Sequence, residues 1–153
     1  MPQKAVVDAV EHRLDTLWGS PEMILARAAL NLPGCPMFGI NLQGDVPEDG
    51  SVFGEVQYPV AITEQVDLAA KRYLERGTIR LIVNAQRGAG VQIGLELTDR
   101  LAALFRGKKF DGVQTFAPSS PVIDDRNDDG LYFPISVSVP YKFYFTDETG
   151  FYA

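Results

Sequence analysis

Four places in this 153-residue chain bring together residue types that carry chemistry in other proteins. His12 has Asp8 four positions before it and Asp15 three after. On a helix this gathers an imidazole and two carboxylates on one face, an arrangement that raises a histidine pKa or begins a metal site. It is the only histidine, and no second histidine or cysteine completes a ligand set, so a solvated helix face is the simpler reading. Asp125, Asn127, Asp129 and Gly130 reproduce the D-x-N-x-D-G opening of a calcium loop, in which alternating oxygens converge on a cation and glycine permits the sharp turn. The twelfth position is Ser136, where a bidentate Glu is needed, and the residues around it read as strand, so the exiting helix of an EF-hand has no place. A solvated acidic turn is expected there, with a weak cation site of another kind as the alternative.

Gly88-Ala89-Gly90, followed by Gly94, lies between a strand and a helix, where backbone amides can cradle a phosphate. The dinucleotide fingerprint wants its third glycine where Ile93 stands, and no Gly-Lys-Ser or Gly-Lys-Thr follows for a P-loop, so a plain tight turn is expected. Cys35 and the serines have no evident histidine base, and no carboxylate pair stands apart from the loop acids. The sequence therefore assigns no catalytic residue, no cofactor-binding residue and no metal ligand, and the expected chain is not an enzyme.

The elements that must position these residues follow from periodicity. Val7, Val10, Leu14, Leu17 and Trp18 predict an amphipathic helix over residues 3–18 closed by Gly19. Ser20-Pro21-Glu22 supplies a cap, a first-turn proline and an acid for a short helix over Met23 to Leu30, with a strand as the alternative. Met37 to Leu42 reads as extended, GDVPEDG as a polar loop, and Val52 to Val60 as an imperfect strand. From Thr63 to Gly77 the residues Val66, Ala69, Ala70, Tyr73 and Leu74 keep helical spacing, so pattern alone predicts a helix. Ile79 to Ala85 alternates as a strand. Ile93, Leu97, Leu101, Leu104 and Phe105 then line one face of a helix over Val91 to Phe105, with Gln92, Glu96, Asp99 and Ala103 opposite. Gly107 can close it, and the nearby Arg106, Lys108 and Lys109 complement its dipole. Val113 to Phe116 is a short strand.

The longest signal is Leu131 to Phe145, with Phe133, Ile135, Val137, Val139, Tyr141, Phe143 and Phe145 on one face. Pro134, Ser136, Ser138, Pro140 and Lys142 fall on the other, which is expected to be wet. Because Pro134 and Pro140 cannot donate, this strand is expected at a sheet edge or kinked. Together these elements predict an α+β fold, a mainly antiparallel sheet with two principal helices packed on it.

A chain of 153 residues fits one compact domain over residues 1–153, large enough to bury a core without metal or disulfide. The single cysteine and an N-terminus without an uninterrupted apolar stretch fit synthesis in a reducing cytoplasm, and no apolar run approaches a membrane span. A net charge of −6 has the wrong sign for gripping phosphates, so direct nucleic-acid binding is disfavoured.

Between about Gly44 and Phe145, the stretches GDVPEDGSVFGEVQYPVA, ERGTIRLIVNAQRGAG, LAALFRGKKFDGVQTFAPSSP and IDDRNDDGLYFPISVSVPYKF resemble the tail terminator proteins of long-tailed bacteriophages. A more distant likeness, of pattern, extends to terminators of lambda-like tails. The resemblance implies a structural virion subunit, at the head-tail interface, that forms a homohexameric ring on the tail tube, stops tube polymerisation and offers a surface to the head completion (connector) protein. Its implied partners are further copies of itself, the tail tube protein and the head completion protein, with DNA passing through the lumen without specific binding and with no membrane and no cofactor. It further implies that Val52 to Val83 forms a long hairpin with its tip near Ala69 to Arg72, against the helix that periodicity favours. Another neck or stopper protein of the virion is the nearest alternative, and a small calcium- or nucleotide-binding module a more distant one.

Overall fold

In the computed structural model the described residues are 2–32, 35–39, 52–69, 71–86, 91–123 and 132–146. Helix α1 (Lys4–Leu17) buries Val6, Ala9, Val10 and Leu14, and Trp18 continues that stripe one step past its end. Val7 and Leu17, expected in the stripe, sit at its margins and are half-buried. The amides of Trp18 and Gly19 both donate to Leu14 O and close the helix. Helix α2 (Pro21–Ala28) begins as the sequence indicates, with Pro21 in its first turn and the Ser20 hydroxyl accepting from Met23 N at 3.4 Å. The strand alternative for this segment is not adopted.

Strand β1 (Met37–Phe38) lies parallel to the start of β2 (Phe53–Asp67), and β2 pairs antiparallel with β3 (Arg72–Gln86) as far as Asp67 opposite Arg72. The helix that periodicity predicts over Thr63 to Gly77 is therefore overturned, and the hairpin implied by the family resemblance is found, its tip one residue earlier than expected. The physical reason is long-range pairing. All of β3 is in register with β7 (Tyr132–Thr146), so Tyr73 stacks on Phe145 with centroids 5.4 Å apart while Leu74 buries itself on the opposite face. A helix would part Tyr73 from Phe145 and forfeit the ladder.

Helix α3 (Gln92–Phe105) leads to β4 (Lys109–Phe110) and β5 (Val113–Thr115), which form a tight hairpin with β6 (Val122–Ile123) following. Asp111 and Gly112 at its tip have φ of 47° and 83°, the paired positive values of a two-residue Asp-Gly turn. The sheet runs β1-β2-β3-β7-β5-β4, with β6 also on β7, and every pairing except β1 with β2 is antiparallel.

This order corrects the expectation for the proline-marked strand, because β7 is central. Pro140 O accepts from Phe116 N at 3.0 Å, so residue 140, and Pro134 in phase with it, turn their backbone away from β3. The donors that the prolines lack are thus not missing from the β3–β7 ladder. The even-numbered face of β7 is also less wet than its alternation implies, since Ser136 is 7% exposed.

α1 and α3 cover the other face of the sheet. Val6, Val10 and Leu14 meet Leu97, Leu101 and Phe105 and the strand residues Ile79, Leu81, Val83, Val137 and Val139 in one core. Ile93, expected in that core, is 44% exposed, and Gly94 faces the sheet instead. A Cβ on Gly94 would lie 2.6 Å from Ile135 Cδ1 and 3.1 Å from Ala85 Cβ, so a residue without a side chain lets the helix settle onto the strands. Thr98 and Ala102 extend the same buried face.

Candidate functional site

The residues singled out for chemistry do not converge. His12 is exposed on α1, and its neighbour Asp8 is engaged by Lys4. No group of three His, Cys, Asp or Glu able to hold a metal ion occurs among the described residues. The Asp125 to Gly130 stretch and Gly88-Ala89-Gly90 lie outside the described residues. Phe133 to Phe145, however, is strand throughout, which leaves no exiting helix for an EF-hand.

Cys35 is 2% exposed, and burial pushes its thiol up to about 12, the reverse of what a nucleophile needs. It belongs to a clamp between α1, α2 and β1. Trp18 Nε1 donates to Cys35 O at 2.7 Å, Arg27 Nη2 donates to Trp18 O at 2.7 Å, and the guanidinium lies 4.0 Å from the Trp18 ring centre. A groove of about 280 Å³ beside it is lined by Leu14, Ile24, Arg27, Cys35 and Met37. Arg27, 6% exposed, fastens α2 through that one donated bond and its stack on Trp18, while its Nε is buried without a partner, which the sequence pattern did not reveal.

A second buried polar group was equally hidden. Glu75 is 0% exposed on β3, and its two carboxylate oxygens accept from Gln3 N at 2.8 Å and from the Tyr141 hydroxyl at 2.7 Å. Burial, then the hydrogen bond and charge of Glu75, raises the Tyr141 phenol above its ordinary value. Gly77 leaves room for it, since a Cβ there would stand 2.4 Å from Val60 O and 2.7 Å from the Tyr141 hydroxyl. This group ties the N-terminal segment to the sheet. Only the register of β3 places Glu75 on the inner face.

Past Gly77 the same strands emerge from the helix layer. β1 covers β2 only at Gly54 and Glu55, and beyond them the outer edge of β2 meets no strand among the described residues. A shift in register between Gln57 and Val60 exchanges the faces of β2, and Val60, Ile62, Val66 and Leu68 are 49%, 59%, 47% and 83% exposed. An unpaired edge bearing apolar side chains is an interaction surface unless something covers it.

A solved structure aligns over 97% of this chain and 99% of its own with a TM-score of 0.56, at 20% identity, which is a likeness of fold. No curated protein matches the sequence. The family model described as phage tail terminator protein matches residues 5–141, which takes in both principal helices, the hairpin and most of β7. The chain thus belongs to the phage tail terminator family, a family of structural tail proteins, and is a component of a phage tail.

Proposed function

We propose that this chain works by assembly, as a homohexameric ring that caps the tail tube, ends its polymerisation and presents a surface for joining the head. The observation that supports this most directly is the outer edge of β2, which beyond Glu55 meets no strand among the described residues and bears exposed apolar side chains, in a chain of the tail terminator family. In a monomer such an edge is a liability, and identical neighbours closing a ring cover it at every subunit. Residues 1–153 act as one domain, made in the host cytoplasm and incorporated in the virion where tail meets head. The tube protein and a head completion protein are the partners, and DNA crosses the lumen without specific binding.

Deletion of the gene from the parent phage tests the reading. Tails of irregular, extended length that fail to join filled heads are expected in electron micrographs of the lysate. Tails of normal length on heads would rule the function out, whereas normal-length tails without heads would favour a neck or stopper protein.

A further inference from the structure

Among the described residues the outer face of the sheet is cationic along β3 and β7, whereas the outer face of the helix layer is acidic. On the face of the sheet turned away from the helices, β3 and β7 contribute Arg72, Arg76, Arg80 and Lys142, and their positions on that face hold no acid. Arg76 and Lys142 stand directly opposite each other across the ladder. Like charges in that position repel, and among the described residues no salt bridge relieves them. Glu55 and Glu64 on β2 share the face without pairing to these cations, and Asp67 lies at the tip beside Arg72. Exposed Val60, Ile62 and Tyr144 lie among the charges.

The helix layer on the opposite side presents Asp8, Glu11 and Asp15 on α1 and Glu96 and Asp99 on α3. Lys4 and Arg100 neutralise Asp8 and Glu96 through i,i+4 pairs, while Glu11, Asp15 and Asp99 have no cation partner among the described residues. Arg13 turns inward to Leu104 O, and His12 lies between the acids. Partial burial first, and then the charges of Asp15 and Asp8, raise the Glu11 carboxyl above its ordinary value.

The geometry points to a head-to-tail contact between copies of this chain, in which the arginine-bearing face of one subunit's sheet docks on the acidic helix face of the next. A two-fold contact of either face with itself would set like charges together. Distinct, complementary patches on opposite sides are what a heterologous interface requires, and such an interface yields a ring when its rotation closes. This deepens the ring reading and rests on it. The ion pairs orient the subunits, and the apolar side chains among them add the area that charges alone do not supply.

The test is charge exchange, read by light scattering at low and high salt. Reversal of the basic side (Arg76→Glu with Lys142→Glu) or of the acidic side (Glu11→Lys with Asp15→Lys) is expected to shift ring mass to monomer mass. All four substitutions in one chain are expected to restore the ring. A ring that survives both single-side reversals overturns this interface and leaves the ring reading standing. A wild-type chain that stays monomeric even with tail tubes present counts against the ring itself. Should a reversed chain fail to fold, Arg76→Cys with Asp15→Cys replaces it. A flexible bis-maleimide is then expected to give a ladder of linked copies, since Cys35 is buried, and a ring without a ladder overturns the contact. Loss of duplex DNA retention on basic-side reversal, with the ring intact, would assign the face to phosphates and likewise overturn it.

Discussion

Leu81, Val83, Ile135, Val137 and Val139, in the half of the sheet beneath the helices, are no more than 1% exposed, while Val60, Ile62, Val66 and Leu68 at the hairpin half are between 47% and 83% exposed. The strands run through both halves and the residue types are alike. Two things differ: Val60 and Ile62 pair with Thr78 and Arg76 on the side turned away from the helices, and all four residues lie toward the hairpin tip, where length decides what is covered. A helix of 14 residues such as α1 or α3 reaches about 21 Å at about 1.5 Å per residue. A strand of 15 residues such as β2, β3 or β7 reaches about 50 Å at about 3.3 Å per residue. Each strand therefore outruns its cover by roughly half, and the Glu75–Tyr141–Gly77 group stands where the cover ends.

The sharpest way to break this comparison is to truncate one apolar side chain in each half. Leu81→Ala, or Leu101→Ala across the same core, is expected to cost about 2 to 5 kcal/mol in denaturant unfolding, because each side chain is 0% exposed and its loss leaves a cavity. A cost near zero at both positions would mean that the helix layer is not where the chain gains its stability.

At the boundary, Tyr141→Phe is expected to cost about 1 to 3 kcal/mol by leaving a Glu75 oxygen without its donor. The same substitution sharpens the pH behaviour. The folded Tyr141 holds its proton above the ordinary phenol value of 10.0. Below that value both folded and unfolded chains are protonated there, and above it the unfolded chain loses the proton first, so stability falls as pH rises. Wild type should lose stability beyond about pH 10, and Tyr141→Phe should lose less of it, with partly buried Tyr58 supplying a remaining decline of the same sign. Parallel pH curves for the two proteins would remove Tyr141 from this account.

The smallest effect is expected at Ile62→Ser, within about 0.5 kcal/mol for the dilute monomer because the side chain is 59% exposed. Its consequence should show only in assembly. An unfolding cost equal to that of Leu81→Ala would show that the hairpin half is covered within its own chain.

Much of the fold was legible because its signals are local. The α1 and α3 stripes, the Ser20-Pro21 start of α2 and the odd-numbered face of β7 all follow from spacing. The helix predicted for residues 63–77 failed because its apolar spacing is local while the pairing that decides its fate lies some seventy residues downstream. The Asp111-Gly112 hairpin was readable from its dipeptide and went unread. The charged faces were hidden for a different reason. A net charge of −6 averages over both sides of the molecule, and only strand register gathers Arg72, Arg76, Arg80 and Lys142 onto one of them. Glu75 and Arg27 were hidden likewise, since nothing in their neighbours marks an ionisable residue for the interior.

The two prolines of β7 have a further consequence for the free chain. Among the described residues the side of β7 that β3 does not pair is held by the short β5 and β6, by Phe116 N donating to Pro140 O, and by Ser119, whose amide donates to Ser138 O and whose hydroxyl accepts from Ser138 N. Fraying of that thin cover would expose a backbone edge, the template on which an amyloid-like stack begins. Pro134 and Pro140 face that edge and withhold two of the donors an invading strand would seek, so recruitment stalls after a few residues and does not spread along the strand. The prolines thus guard the β5 side of β7 alone, and the outer edge of β2 is left for assembly to cover.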